Sequence, residues 1–492
     1  MSMIDVQNLT FCYDGGIEPI FQNVSFRIDT DWKTGFVGRN GKGKTTFLHL
    51  LEGKYEYGGA ISASVKFTYF PFEVSNASAL CDEVVSSICP EAEEWKVMRE
   101  MSCLELDAGV LYRPLSELSH GERAKLLLAA LFLKDNNFLL IDEPTNHLDA
   151  RARKVVAAYL KRKKGFIVVS HDRAFLDGCI DHVLSLTRSG VEIAVGNFST
   201  YLENFERRQS FETAQNERLK KEISRLESSA RRTASWADRA EHDKYGKADS
   251  GLKKDKGYVG HKAAKVMQRA GAVKTRLVRD AAQKSELLHD VESTEKLKLS
   301  PLSHRAERLL SATDLEIFYG DLKVCSLPRF ELLRGERVAL VGRNGCGKSS
   351  IIKLIMGEGI AHGGSLALAS GLIVSYVPQH TDGLNGDLRE FAANKKIDDS
   401  LFMAILDKMD FPSKYRHSDI RALSEGQRKK LLLAASLCER AHLYVWDEPL
   451  NYIDVYSRIQ IENLIKEYAP TMLFVEHDVS FLSAIATRTV EL

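Results

Sequence analysis

Apolar positions along this chain follow two patterns with different periods. Short continuous runs, Gly35-Phe36-Val37, Phe138-Leu139-Leu140-Ile141, Val338-Ala339-Leu340-Val341 and Leu443-Tyr444-Val445-Trp446, are bounded by glycine or acid and read as buried strands. The stretch from Thr200 to about Ala240 is different: polar, free of proline, with Leu219, Ile223 and Leu226 on one helical face. A second helical stretch runs from about His261 to Lys298, with Ala270, Val273, Leu277, Leu288 and Val291 near heptad spacing. Between the two lie Gly246, Gly251, Gly257 and Gly260, which break a helix. A flexible linker would carry glycine and serine throughout. Clustered glycines instead predict an antiparallel hairpin, each helix about 40 residues and so about 60 Å long.

The strand-rich parts repeat. Gly38-Arg39-Asn40-Gly41-Lys42-Gly43-Lys44-Thr45 recurs as Gly342-Arg343-Asn344-Gly345-Cys346-Gly347-Lys348-Ser349. Leu118-Ser119-His120-Gly121-Glu122 recurs as Leu423-Ser424-Glu425-Gly426-Gln427, Asp142-Glu143-Pro144 as Asp447-Glu448-Pro449, and Val169-Ser170-His171-Asp172 as Val475-Glu476-His477-Asp478. Four motifs in one order at a nearly fixed offset mean a duplicated α/β domain. The expected division is 1–199, a linker at 200–304 with its tip near 244–260, and 305–492.

Each repeat carries phosphate chemistry. Gly38-x4-Gly43-Lys44-Thr45 and Gly342-x4-Gly347-Lys348-Ser349 are P-loops, in which glycines let backbone N–H groups wrap phosphate oxygens. The lysine reaches the outer phosphates and the hydroxyl binds Mg²⁺. Each loop follows a strand-like run and precedes a helical one, whose N-terminus adds positive potential. Asp142 and Asp447 end buried-strand runs, as a Mg²⁺ partner does. Glu143 and Glu448 come next, where a carboxylate orients or deprotonates an attacking water. Asn146 and Asp149 recur as Asn451 and Asp454, and His171 and His477, each after a strand-like run, suit a γ-phosphate contact.

Composition narrows the class. The chain has 492 residues, too many for one ordinary core. No basic start precedes an apolar stretch at Met1-Ser2-Met3-Ile4-Asp5, so no secretory signal is expected. The longest apolar run is Leu126 to Leu133, eight residues, where a bilayer-spanning helix needs about 20. The eight cysteines are scattered without a CxxC pair and read as cytosolic thiols. Lys+Arg is 68 against 67 Asp+Glu, a net charge of +1, which as a whole-chain sum argues against a nucleic-acid binder. The sum hides segregation. From Lys244 to Arg279 there are eleven basic and two acidic residues, net +9, so the rest of the chain is acidic. That patch can neutralise phosphates, and Tyr245, Tyr258 and His261 interleave with it as stacking surfaces for unpaired bases. Lys244, Lys247, Lys253, Lys254, Lys256 and Lys262 complete the candidate RNA contact.

The motif order, Walker A, an LSGGQ-like segment, Walker B with its glutamate, then a D-loop and an H-loop histidine, resembles the ABC ATPase domains. The resemblance covers essentially the whole chain and implies two cassettes pairing within one monomer around two ATP molecules, with hydrolysis to ADP and phosphate. It implies that Lys44, Thr45, Asp142, Glu143 and His171 form site one, completed by Ser424 of the other cassette. Lys348, Ser349, Asp447, Glu448 and His477 form site two, completed by Ser119. Nucleotide contacts carried over with these are Gly38, Asn40, Gly41, Gly43 and Thr46, then Gly342, Asn344, Gly345, Gly347 and Ser350, with Gly121 and Gly426 beside the signature serines. Tyr13 and Tyr319, at matching positions before each P-loop, would stack on adenine. Mg²⁺ would be held by Thr45 and Asp142 in site one and by Ser349, Gln379 and Asp447 in site two. Gln379 matches a Q-loop, whereas cassette one has Phe70-Pro71-Phe72 there. The first signature reads LSHGE, and the second Walker B continues Leu450-Asn451-Tyr452. The two sites are therefore expected to differ.

Two fused cassettes with a helical hairpin between them are similar to the ABC-F family, which acts on ribosomes. The start Val6-x-x-Leu9-Thr10-Phe11, the strings GRNGKGKTTFL and DEPLNYID, and the tip from Lys244-Tyr245-Gly246 to His261-Lys262 resemble its Lsa-type antibiotic-resistance branch. That resemblance implies a cytoplasmic protein that binds the tRNA exit site of the bacterial ribosome with ATP bound. Its linker tip would act on ribosomal RNA and the P-site tRNA at the peptidyl-transferase centre, giving resistance to lincosamides, streptogramin A and pleuromutilins. A housekeeping ABC-F translation factor shares this architecture. A transporter ATPase subunit or a DNA-repair ATPase remains a further alternative.

Overall fold

The computed structural model describes residues 2–14, 19–72, 74, 76–134, 136–146, 148–187, 190–242, 268–273, 275–280, 282, 284, 297–320, 322–416 and 418–492. Contacts divide the chain into two compact units, Met1–Tyr201 with Thr294–Leu492, and Leu202–Ser293.

In the first unit each repeat builds the same pair of sheets. An antiparallel sheet sets Met3–Phe11 between Phe21–Asp29 and Gly58–Ser62. Its counterpart sets Arg308–Tyr319 between Leu322–Leu333 and His362–Leu368. Alternation of apolar and polar positions gives these strands one buried face: Ile4, Val6 and Leu9 point inward from the first and Leu310, Ala312 and Leu315 from the second.

The second sheet of each repeat is parallel, and its strands are apolar on both faces. In the first repeat the order is Lys66–Phe70, Asn137–Asp142, Phe166–Val169, Lys33–Gly38, His182–Thr187, then Gly190–Val195 antiparallel at the edge. In the second it is Val374–Val377, Leu443–Asp447, Met472–Val475, Arg337–Val341, Arg488–Glu491. The strand before the P-loop and the strand ending in Asp142 or Asp447 both flank a middle strand that leads to His171 or His477. Because all three run parallel, their carboxyl ends lie on one edge, where an open α/β sheet binds its ligand. Topology thus gathers three motifs that are far apart in sequence.

Helices Lys44–Leu51 and Lys348–Ile355 follow the P-loops, their apolar sides packed between the two sheets. Helices His120–Leu131 and Glu425–Cys438 begin at the signature serines. The two repeats contact each other directly. Arg173 pairs with Glu462 and Arg39 with Asp410, the Asn40 amide donates to the Tyr452 carbonyl at 2.7 Å, and the Tyr201 and Tyr456 hydroxyls lie 3.1 Å apart.

The helix Phe198–His242 carries the chain into the second unit, where its Glu222 is ion-paired with Lys284. Residues 268–273 and 275–280 are helical. Among the described residues no helix is long and apolar enough to cross a membrane.

Candidate functional site

The P-loops are built by backbone that only glycine tolerates. Gly43 and Gly347, at φ of 100° and 97°, sit just before their helices. A Cβ on Gly43 would lie 2.4 Å from the Ile20 side chain, and one on Gly347 would lie 2.7 Å from Cys325. The loop lysines are buried and fold back on their own loops. Lys44 donates to the carbonyls of Gly38 at 2.7 Å and Arg39 at 3.1 Å, and Lys348 to those of Gly342 and Arg343, both at 2.9 Å. Burial lowers the Lys44 pKa, opposed by Asp454, Glu143 and Asp142. Cys346, half-buried, lies 3.9 Å from the Lys348 ammonium.

Ser119 and Ser424 cap the signature helices in capping boxes with Glu122 and Gln427. These boxes fix the start of each helix, and residues of both starts line cavities. One cavity, of 1060 Å³, is lined by Tyr319, Asn344, Gly345, Gly347, Lys348, Ser349, Ser350, Gln379, Glu448, Asn451 and His477 of the second repeat. Ser119, His120, Gly121 and Glu122 of the first repeat line the same cavity. The other, of 450 Å³, is lined by Tyr13, Asn40, Gly41, Gly43, Lys44, Thr45, Thr46, Asp142, Glu143 and His171, and by Ser424, Gly426 and Tyr452 of the second repeat. Each cavity therefore joins the phosphate loop of one repeat to the signature of the other. Gly38 ends and Gly342 directly follows the strands feeding the loops, and Asp447, the last residue of its strand, is buried. Tyr13 and Tyr319 are about half exposed over the helix starts, their hydroxyls 2.9 Å from Thr46 and 3.2 Å from Ser350.

The carboxylates differ between the cavities. Glu143 and Glu448 both adopt left-handed backbone, φ 48° and 46°, a costly conformation held by the strand before and the turn after. The Glu448 carboxylate accepts from the Asn451 amide at 2.6 Å, with His477 at 3.6 Å and the Gln379 amide beside it. Burial raises its pKa, but these groups outweigh burial and hold it at about 2. Glu143 lies 3.3 Å from the His171 ring, and its buried Oε1 makes no hydrogen bond. Burial and then the Asp142 charge push it up to about 8. His171 is held well below the usual histidine range by burial and by Lys44 and Arg458.

The aspartates differ too. Asp142 accepts from Thr45 at 2.7 Å and from the Tyr69 hydroxyl at 3.0 Å. In the second repeat Ser349 lies beside Asp447, whose buried Oδ1 has no hydrogen-bond partner. An uncompensated buried carboxylate oxygen beside a hydroxyl is an oxygen-donor set that fits Mg²⁺, which takes one or two protein carboxylates and completes its shell with phosphates and water. Among the described residues no cluster of three or more His, Cys, Asp or Glu could hold a metal alone.

Several residues at these sites escape motif reading. Tyr452 belongs to the second repeat but lines the first repeat's cavity. Tyr69 meets Asp142 through an inter-strand neighbour relation that no linear string displays. Arg153 and Arg458, at matched positions, bond Asp172 and Asp478 at 2.9 and 3.0 Å; their recurrence in both repeats was the available signal. Lys429, which stands where the first repeat has Ala124, is pushed down to about 8 by burial, which outweighs the opposing pull of Glu476, Asp447 and Glu448. The candidate RNA contacts Lys244, Tyr245, Lys247, Lys253, Lys254, Lys256, Tyr258, His261 and Lys262 lie outside the described residues.

The profile of the family described as "ABC transporter" matches residues 21–146 and 327–451. The chain is 26% identical over 482 residues to the ribosome protection protein VmlR of Bacillus subtilis, covering 96% of this chain and 83% of that one. It is 27% identical to the ATP-binding protein Uup of Haemophilus influenzae, over 96% of this chain and 76% of Uup. Among solved structures it is similar to the archaeal ribosome recycling factor aABCE1 in complex with the stalk protein aP1, with a TM-score of 0.63 and 21% identity over 98% of this chain and 87% of that one.

Proposed function

Because the chain belongs to the ABC transporter family and is an ATPase of the ABC-F type, we propose that it works as an ATP-driven clamp on the bacterial ribosome. The observation that carries the clamp is the make-up of the cavities, each joining one repeat's P-loop, glutamate and histidine to the other's signature helix. Two ATP molecules therefore bridge the repeats, and ATP favours the closed arrangement by contacting both sides only when they meet.

In this reading Gly38, Asn40, Gly41, Gly43, Lys44, Thr45 and Thr46, and their counterparts Gly342, Asn344, Gly345, Gly347, Lys348, Ser349 and Ser350, hold the phosphates. Tyr13 and Tyr319 stack on the bases, and Ser119, Gly121, Ser424 and Gly426 close over the γ-phosphates. Glu143 and Glu448 orient and deprotonate the attacking water, and His171 and His477 hold the γ-phosphate. Mg²⁺, when bound by Thr45 and Asp142 or by Ser349, Gln379 and Asp447, supplies charge neutralisation of the phosphates.

The ribosome enters through two supports. A relative matched over 96% of this chain is a ribosome protection protein. Independently, residues 244–279 carry a net charge of +9 with interleaved aromatics, the composition of an RNA contact. The linker at 200–304 then presents its tip to ribosomal RNA and the P-site tRNA, the drug pocket is perturbed, and hydrolysis releases the protein into the cytoplasm. The antibiotics to which this confers resistance are lincosamides, streptogramin A and pleuromutilins.

Drug susceptibility with and without the gene tests this reading. Deleting Lys253 to Lys256 abolishes protection while ATP hydrolysis is spared. ATP-dependent cosedimentation with ribosomes but unchanged susceptibility to every peptidyl-transferase drug would instead identify a housekeeping translation factor.

A further inference from the structure

Lys429 lies on the helix Glu425–Cys438, five residues after Ser424, and is only 1% exposed. An ammonium has three donors and no acceptor. Here all three reach backbone carbonyls: Pro378 at 2.7 Å, Gln379 at 3.0 Å and Asp447 at 3.4 Å. The lysine therefore ties the loop carrying Gln379 to the strand carrying Asp447 and Glu448. The Gln379 side chain faces Glu448, and Glu448 is the water-orienting candidate of site two.

The first repeat supplies an internal comparison. Its matching position is Ala124, and the position matching Gln379 is Phe72. The anchoring cation and the glutamine it anchors are present together in one repeat and absent together in the other. A buried lysine is expensive to desolvate, and here three carbonyl hydrogen bonds offset that cost.

We propose that Lys429 is a positioning residue for hydrolysis at site two: its three carbonyl bonds hold Gln379 against Glu448. The same helix begins at Ser424, which lines site one. Closure at site one is thereby linked through one rigid element to the geometry of the carboxylate at site two. The proposal rests on the ATPase reading of site two.

The test is steady-state ATP hydrolysis by the full chain carrying Lys429→Met, Gln379→Ala, or both. Loss of loop positioning lowers kcat by roughly 10- to 100-fold with KM nearly unchanged. Gln379→Ala gives the same loss, and the double variant loses no more, because both changes remove one unit. Lys429→Arg, which keeps the charge, restores part of kcat. Lys429→Gln, read by the same split, serves if the methionine variant does not fold. A wild-type kcat, a loss shared equally with KM and melting temperature, or additive losses in the double variant would each overturn the proposal. Glu448→Gln separates the two layers. If it leaves turnover unchanged, the ATPase reading of site two fails; if it abolishes turnover and Lys429→Met does not, only the role of Lys429 fails.

Discussion

A Glu143→Gln, Glu448→Gln double variant is expected to lose at least about a hundredfold of ATP turnover, the scale of a general-base contribution, while still binding ATP. With hydrolysis blocked, the clamp does not reopen, so the variant pellets with ribosomes whenever ATP is present. In the proposed role both glutamates are held at a conformational cost. Each follows a buried strand ending in aspartate and takes up left-handed backbone, which aims its carboxylate at the matched histidine rather than into solvent. Glutamine keeps the shape and the hydrogen-bonding edge but cannot take a proton. The single variants separate the sites. Glu448 is oriented by Asn451 and faced by Gln379 and His477, whereas Glu143 has a buried oxygen without a hydrogen bond and no glutamine opposite it. Glu448→Gln alone therefore removes more turnover than Glu143→Gln alone. Radiolabelled ATP hydrolysis and sedimentation through sucrose measure both properties. A double variant that binds ATP yet sediments free of ribosomes would refute the clamp.

The fold was legible because its signals are local. Two P-loops in register with two Asp-Glu-Pro strings announce a duplicated α/β domain, and the strand runs Phe138–Ile141 and Val338–Val341 fall inside the observed strands. The helical stretch expected from Thr200 to about Ala240 lies within the helix Phe198–His242. The site was legible only as separate strings. That Ser119 shares a cavity with Lys348, more than 200 residues away, came from resemblance and not from spacing. The departures were visible as letters but not as geometry. Tyr452 reads as a change in the second repeat's own site, yet its carbonyl accepts from Asn40 and its side belongs to the other cavity. The missing glutamine at Phe72 was plain, but not that Tyr69 would bond Asp142 from the neighbouring strand. Lys429 was invisible because its partners lie 50 and 51 residues upstream. Contacts of that range are set by packing, on which a single sequence is silent.

Arg458→Met is expected to destabilise the protein by about 3–5 kcal/mol, the cost of stranding a buried charge. The guanidinium is buried, and each of its three nitrogens makes a hydrogen bond. It donates to the carbonyls of Ile453 and Leu450, both at 2.9 Å, and to the Asp478 carboxylate at 3.0 Å. Asp478 is buried, and its other oxygen caps the helix Val479–Ile485 by accepting from Ser480 and Phe481. Methionine fills the volume but leaves that carboxylate without a counter-charge and frees two carbonyls that flank Asn451 and Tyr452. A domain of this size loses roughly 2–4 °C per kcal/mol, so the transition of the second repeat falls by about 10 °C. The control is Arg27→Met. Arg27 pairs with Asp5 at 3.1 Å with its side chain 65% exposed, and such pairs contribute less than about 1 kcal/mol. Scanning calorimetry of the two variants checks the contrast, and equal melting temperatures would refute the account. Arg458 also acts across the repeats. Its charge lowers the pKa of both Glu143 and His171. Loss of this one side chain therefore loosens the turn that carries Asn451 to site two and removes a positive field from site one.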